Sequence, residues 1–173
     1  MNYMNKIFLL FALVLISFNS NAQSQVENIL RDAKAYNKAY LDNDFETFTE
    51  MTIPSIVKLA GGAEIMTKVS KEQYATMLSG GMEFISISPL KPSKIMLCGE
   101  DLHAIVPQEV HTKMGDDKYR RVAYYLASSN DEGKTWTFAD LEPYDMESIK
   151  TYVPSFTGEL EIPAVEYAEK INK

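Results

Sequence analysis

A single cysteine, Cys98, occurs among 173 residues, so no intramolecular disulfide can form and the fold depends on its own core. Histidine is almost as scarce, with only His103 and His111. The patterns G-x-S-x-G, G-x-x-x-x-G-K-[ST], H-E-x-x-H and C-x-x-C are all missing. Their absence removes support for the common hydrolase, nucleotide and metal chemistries, and no cofactor or metal is expected. Basic residues are outnumbered, 17 Lys and Arg against 24 Asp and Glu, for a net charge of −7. Such a surface repels phosphate backbones and anionic lipid, so neither nucleic acid nor a membrane surface is an expected partner. Internal repeats, low-complexity runs and signs of a second domain are also missing.

The one long apolar run, Ile7 to Ile16, follows the positive Lys6 and precedes the polar residues Ser17, Asn19, Ser20 and Asn21. Ten residues are too few to span a bilayer about 30 Å thick as a helix. Ser20-Asn21-Ala22 puts small residues at the −3 and −1 positions before Gln23, so residues 1–22 read as a cleavable secretory signal peptide. No cysteine follows the run directly, which argues against a lipid anchor. The expected product is an exported soluble protein, periplasmic or secreted, with no membrane attachment after cleavage. Removing residues 1–22 from 173 leaves 151, enough for one domain with a real core.

Periodicity then sets the elements. Val26, Ile29, Leu30, Ala33, Asn37, Tyr40 and Leu41 share a face at helical spacing, which predicts a helix over 24–41. Asp44 is the expected N-cap of a second helix carrying Phe45, Phe48 and Met51. Pro54 is expected to stop it, with Ile56-Val57-Lys58-Leu59 as a strand ending at Gly61-Gly62. Ser70-Lys71-Glu72-Gln73 reads as a capping box opening a third helix. From there the period is two, and strands are predicted at 83–90, 93–98, 102–113, 118–129 and 135–142. Pro154, Gly158 and Pro163 interrupt the tail, where Val165 to Ile171 suits a short helix.

Helices first, then a long-stranded antiparallel sheet, is an α+β pattern with N-terminal helices packed on a curved sheet. The order of elements carries a resemblance, together with Asp42-Asn43-Asp44-Phe45 between helices, Pro54 to Gly62 after them, and Thr135-Trp136-Thr137-Phe138 in the last strand. The chain resembles the nuclear-transport-factor-2-like (cystatin-like, cone-fold) superfamily over about 26–142. The resemblance implies a domain over 23–145, a C-terminal extension over 146–173, and a sheet wrapped around the first helix with a cavity at the open end of the cone. It also implies homodimerisation through the sheet. That superfamily includes isomerases and cyclases as well as binding domains, so the fold alone does not decide the function.

Several residues are candidates for chemistry. Ser129-x-Asp131-x-Gly133-x-Thr135-Trp136 matches a single Asp-box, which one copy in this length makes a hairpin turn rather than a propeller blade. Cys98 lies in an apolar strand-like run near Glu100 and Asp101 and reads as a buried small hydrophobe. His103 and His111 fall on one strand face about 26 Å apart, too far to share a metal, and read as solvated strand residues. His111 with Glu109 would supply only two ligands. Arg120 and Arg121 face opposite sides, so one of them reaches toward the cavity mouth.

Trp136, Phe138 and Asp140 share a face. A carboxylate among aromatics has a raised pKa and suits general-base work, so Asp140 is a candidate, although no catalytic residue is expected. Tyr36, Tyr40, Tyr74, Met77, Tyr125, Trp136 and Phe138 are the candidate binding residues, mostly rings with apolar bodies and, for Tyr, a polar tip. The expected function is small-ligand binding or protein interaction through the cone cavity or sheet face, with an apolar or aromatic ligand. The alternative is a ketosteroid-isomerase- or polyketide-cyclase-like enzyme acting on an apolar organic substrate.

Overall fold

In the computed structural model, residues 23–142, 146–156, 160–164 and 167–171 are described. The segment read as a signal peptide, 1–22, lies outside the described residues.

Residues 23–41 form α1, which buries Ile29, Ala33, Tyr36, Asn37 and Ala39 along the face that the apolar spacing defines. Asn43 ends the turn after it with φ 62°, a left-handed position that Asn tolerates. Asp44 caps α2 (Phe45–Glu50), its carboxylate accepting the Thr47 N–H at 3.1 Å. The strand expected at 56–59 is instead helix α3 (Pro54–Leu59), with Pro54 in the first turn. Proline has no N–H to lose there, so it starts this helix as well as ending the previous one. α4 (Ala63–Ser79) opens directly after Gly62, so Ser70 to Gln73 lies inside the helix and is not its cap.

The sheet contains β1 (Met82–Pro89), β2 (Met96–Cys98), β3 (Asp101–Met114), β4 (Asp117–Ser129) and β5 (Thr137–Asp140). β3 and β4 pair along their whole length as an antiparallel hairpin, from Leu102↔Ser129 to Met114↔Asp117. β1 and β2 share the other edge of β3, while β5 pairs with β4 through Tyr125↔Asp140. In place of the helix expected over 165–171, Glu169–Ile171 forms β6 against Lys118–Arg120 on the same edge of β4; residues 165–166 lie outside the described residues. The sheet is strongly curled into a half-barrel with the N-terminal helices against it, an α+β fold of cone-like form. No helix among the described residues is long and apolar enough to cross a membrane.

Register separates the two faces. Ala104 and Val106 join Ala127 and Phe138 beneath Ile29, Ala33 and Tyr36 of α1 on the concave side. Ile105, Val122, Tyr124 and Leu126 project to the convex side, where Ile149, Val153, Phe156 and Leu160 cover them. The first two of these come from α5 (Met146–Tyr152) and the residue after it. Burying four such side chains is worth roughly 6–12 kcal/mol before entropy, at about 1.5–3 kcal/mol each. That magnitude makes this part of the C-terminal segment integral to the core.

The Asp-box motif forms the β4–β5 turn, as its composition predicts. Asp131 Oδ1 accepts the N–H groups of Lys134 and Thr135, both at 3.0 Å, and Oδ2 accepts the Thr135 hydroxyl at 2.7 Å. The Trp136 indole donates to the Gly133 carbonyl at 3.1 Å. Burial pushes the Asp131 carboxyl up, but hydrogen bonds from Thr135, Ser129 and Lys134 outweigh it and hold it at about 2.

Candidate functional site

Tyr36 and Tyr40 lie one turn apart on α1 and face the same space between helices and sheet. Phe48 and Thr52 close it from α2 and the residues following, Met66, Ser70 and Gln73 from α4, and Phe84 and Ile87 from β1. Arg121, Ala123 and Tyr125 on β4, with Asp140 at the end of β5, complete a cavity of about 270 Å³. Alternation explains the β4 set: residues 121, 123 and 125 all point to the concave face.

The walls are aromatic and in mutual contact. Tyr36 stacks on Phe48 with ring centres 4.4 Å apart and meets Tyr125 edge-on at 5.6 Å. Tyr40 approaches Phe48 at 5.2 Å and Phe84 at 5.4 Å. These separations fall in the range where aromatic pairs attract.

Charge gathers at the mouth. Arg121 forms an ion pair with Glu142, and Asp140 Oδ1 accepts the Glu142 backbone N–H at 2.9 Å. Asp140 is exposed to solvent at the opening, with many protein atoms around its carboxyl. Burial raises its carboxyl above the usual 3.8 and the negative charge of Glu142 adds to this, against the pull of backbone N–H groups and Arg121. Burial also raises the tyrosines: Tyr40 to about 12, and Tyr36 and Tyr125 well above their ordinary range. All three phenols therefore keep their protons at neutral pH.

Of the residues singled out from sequence, the structure brings Tyr36, Tyr40, Tyr125 and Asp140 together, with Arg121 as the arginine at the mouth. Tyr74, Met77, Trp136 and Phe138 do not line the cavity. Tyr74 is buried behind it against Tyr40, Phe45 and Phe84, and Met77 lies about a turn further along α4. Trp136 is held beneath the Asp131 turn, and Phe138 is wholly buried under Tyr36. Sequence reasoning missed Thr52, Met66 and Phe84 as cavity residues. Met66 lies in the first turn of α4, ahead of the point where the capping-box pattern starts the helix. Phe84 pairs with Thr112 on the concave face, and an irregularity in β1 pairing between Phe84 and Ser86 lets Ile87 share that face with it.

His103 corrects a second expectation. It is fully buried rather than solvated, with Nε2 3.1 Å from Ser155 Oγ and its ring edge-on to Phe156 at 5.8 Å. The C-terminal segment covers it. His111 is partly exposed, 3.2 Å from Glu109, which also accepts from Arg120 at 2.8 Å. Among the described residues no three His, Cys, Asp or Glu side chains converge in a metal-binding arrangement.

Comparison of the chain with protein-family models, curated proteins and solved structures returned no match.

Proposed function

We propose that this chain is an exported single-domain binding protein of the nuclear-transport-factor-2-like class, holding a small apolar or aromatic molecule in its concave cavity. The observation that carries this reading is the cavity of about 270 Å³, walled by Tyr36, Tyr40, Phe48, Phe84 and Tyr125, with Asp140 at its mouth. Concave aromatic walls with few, convergent polar groups are the usual make-up of a small-molecule site. The proposed sheet-mediated homodimer would meet Glu109, His111 and Arg120 rather than an apolar surface, since the C-terminal segment occupies the apolar part of the convex face.

A second reading rests on Asp140. A carboxyl with a raised pKa beside protonated phenols suits proton abstraction from an apolar ketone. Asp140→Asn would then abolish turnover of such a substrate.

The binding reading is tested with N-phenyl-1-naphthylamine, a neutral dye that brightens in apolar surroundings. Wild type is expected to bind it saturably. Ala123→Phe, which fills the cavity from β4, is expected to weaken binding at least tenfold while keeping a cooperative thermal transition. Equal binding by a folded Ala123→Phe variant would overturn the reading.

A further inference from the structure

We infer that the cavity selects an organic cation: a small amine carrying an aromatic or alkyl body. This rests on the binding reading above and adds the chemical class of the ligand.

The charges at the mouth point one way. Among the described residues Arg121 is the only cationic side chain lining the cavity, and it is paired with Glu142. Arg121, Glu142 and Asp140 together carry −1, and among the described residues no ion pair neutralises Asp140. An incoming carboxylate would meet Asp140 and Glu142 around a guanidinium already engaged. An ammonium group would meet a carboxylate that is in no ion pair among the described residues, beside the Arg121–Glu142 pair.

The walls favour the same ligand. Aromatic faces carry negative quadrupole potential and attract cations, most strongly where water is excluded. Tyr36, Tyr40, Phe48 and Tyr125 converge within 4.4–5.6 Å of their ring neighbours around the space that Asp140 faces. The protonated phenols add no competing charge, and their oxygens can accept from an ammonium. The acidic chain, at −7, draws cations toward every opening. A volume of about 270 Å³ lies just below the range of about 300–1,000 Å³ usual for small-molecule pockets, so the ligand is a small one.

The test uses the purified protein and three ligands of matched shape: 2-phenylethylamine, 2-phenylethanol and 3-phenylpropanoate. Each is measured by calorimetry and by displacement of N-phenyl-1-naphthylamine, on wild type and on Asp140→Asn. The amine is expected to bind at least tenfold tighter than the alcohol to wild type, and that ratio is expected to fall to near one in Asp140→Asn. If the alcohol or the anion displaces the dye as well as the amine does, the cation inference fails and the cavity reading stands. If the dye binds but none of the three displaces it, the cation inference also fails. If the dye does not bind at all, both fail together.

Discussion

Asp32 on α1 accepts the backbone N–H of Trp136 at 3.0 Å, joining residues 104 positions apart in the chain. The same turn offers its carbonyls back to α1: Glu132 to Gln25 at 3.0 Å, Gly133 to Asn28 at 2.9 Å and Lys134 to Arg31 at 2.9 Å. The Asp131 turn therefore anchors the first half of the helix whose second half carries Tyr36 and Tyr40.

Asp131→Ala removes the acceptor of three hydrogen bonds from Lys134 and Thr135. A destabilisation of about 2 kcal/mol is expected from urea melts, in the range for hydrogen bonds to charged groups. Hydrogen exchange is expected to rise first over 23–32, ahead of the β3–β4 hairpin.

Phe156→Ala is expected to cost about 3–5 kcal/mol, since Phe156 is 2 % exposed and packs on the convex side of the sheet. As a control in the same thermal melts, Tyr167→Ala, at 93 % exposure, is expected to change the melting temperature little.

His103 makes the fold sensitive to acid. Burial lowers its pKa from the ordinary 6.5, against the opposing charge of Asp101 and a backbone contact at Ala127. The contribution of neutral His103 is present above pH 6.5 and is lost as pH falls from there toward the lowered value. His103→Gln is expected to flatten this part of the stability profile. Asp101→Asn is expected to steepen it, because Asp101 favours the charged imidazole.

Asp140 has the opposite slope. Its folded pKa is raised above 3.8, so its contribution is present below 3.8 and is lost as pH rises through the folded value. Asp140→Asn is expected to remove that loss, leaving the variant at least as stable as wild type at pH 7. Urea melts at several pH values between about 3.5 and 7.5, spanning the ordinary carboxyl and imidazole ranges, would separate the two profiles.

Much of the fold is legible in local chemistry. Gly115-Asp116-Asp117 between two alternating runs specifies the central hairpin, and the Asp131 motif specifies its turn down to the Trp136 indole. Cys98 is 2 % exposed, as its apolar run implies. Residues 56–59 read as a strand because a short apolar run fits a buried strand and a helical turn equally well. The burial of His103 is hidden for a different reason. Ser155 and Phe156, which cover it, lie between Pro154 and Gly158 in what reads as a broken tail. Only tertiary packing shows that the apolar residues there meet the sheet. For the cavity, alternation puts Phe138 and Asp140 on one face, and the structure makes that face the concave one. A face pattern gives the side of a sheet but not the depth along a cone, and of Trp136, Phe138 and Asp140 only the last lies at the open end.

The most direct test is a two-dimensional spectrum of tyrosine-ring-labelled protein during titration with N-phenyl-1-naphthylamine. The ring signals of Tyr36, Tyr40 and Tyr125 are expected to move together and saturate, while those of Tyr152 and Tyr167, outside the cavity, stay in place. Movement of Tyr152 or Tyr167 with the three cavity tyrosines unchanged would contradict the account.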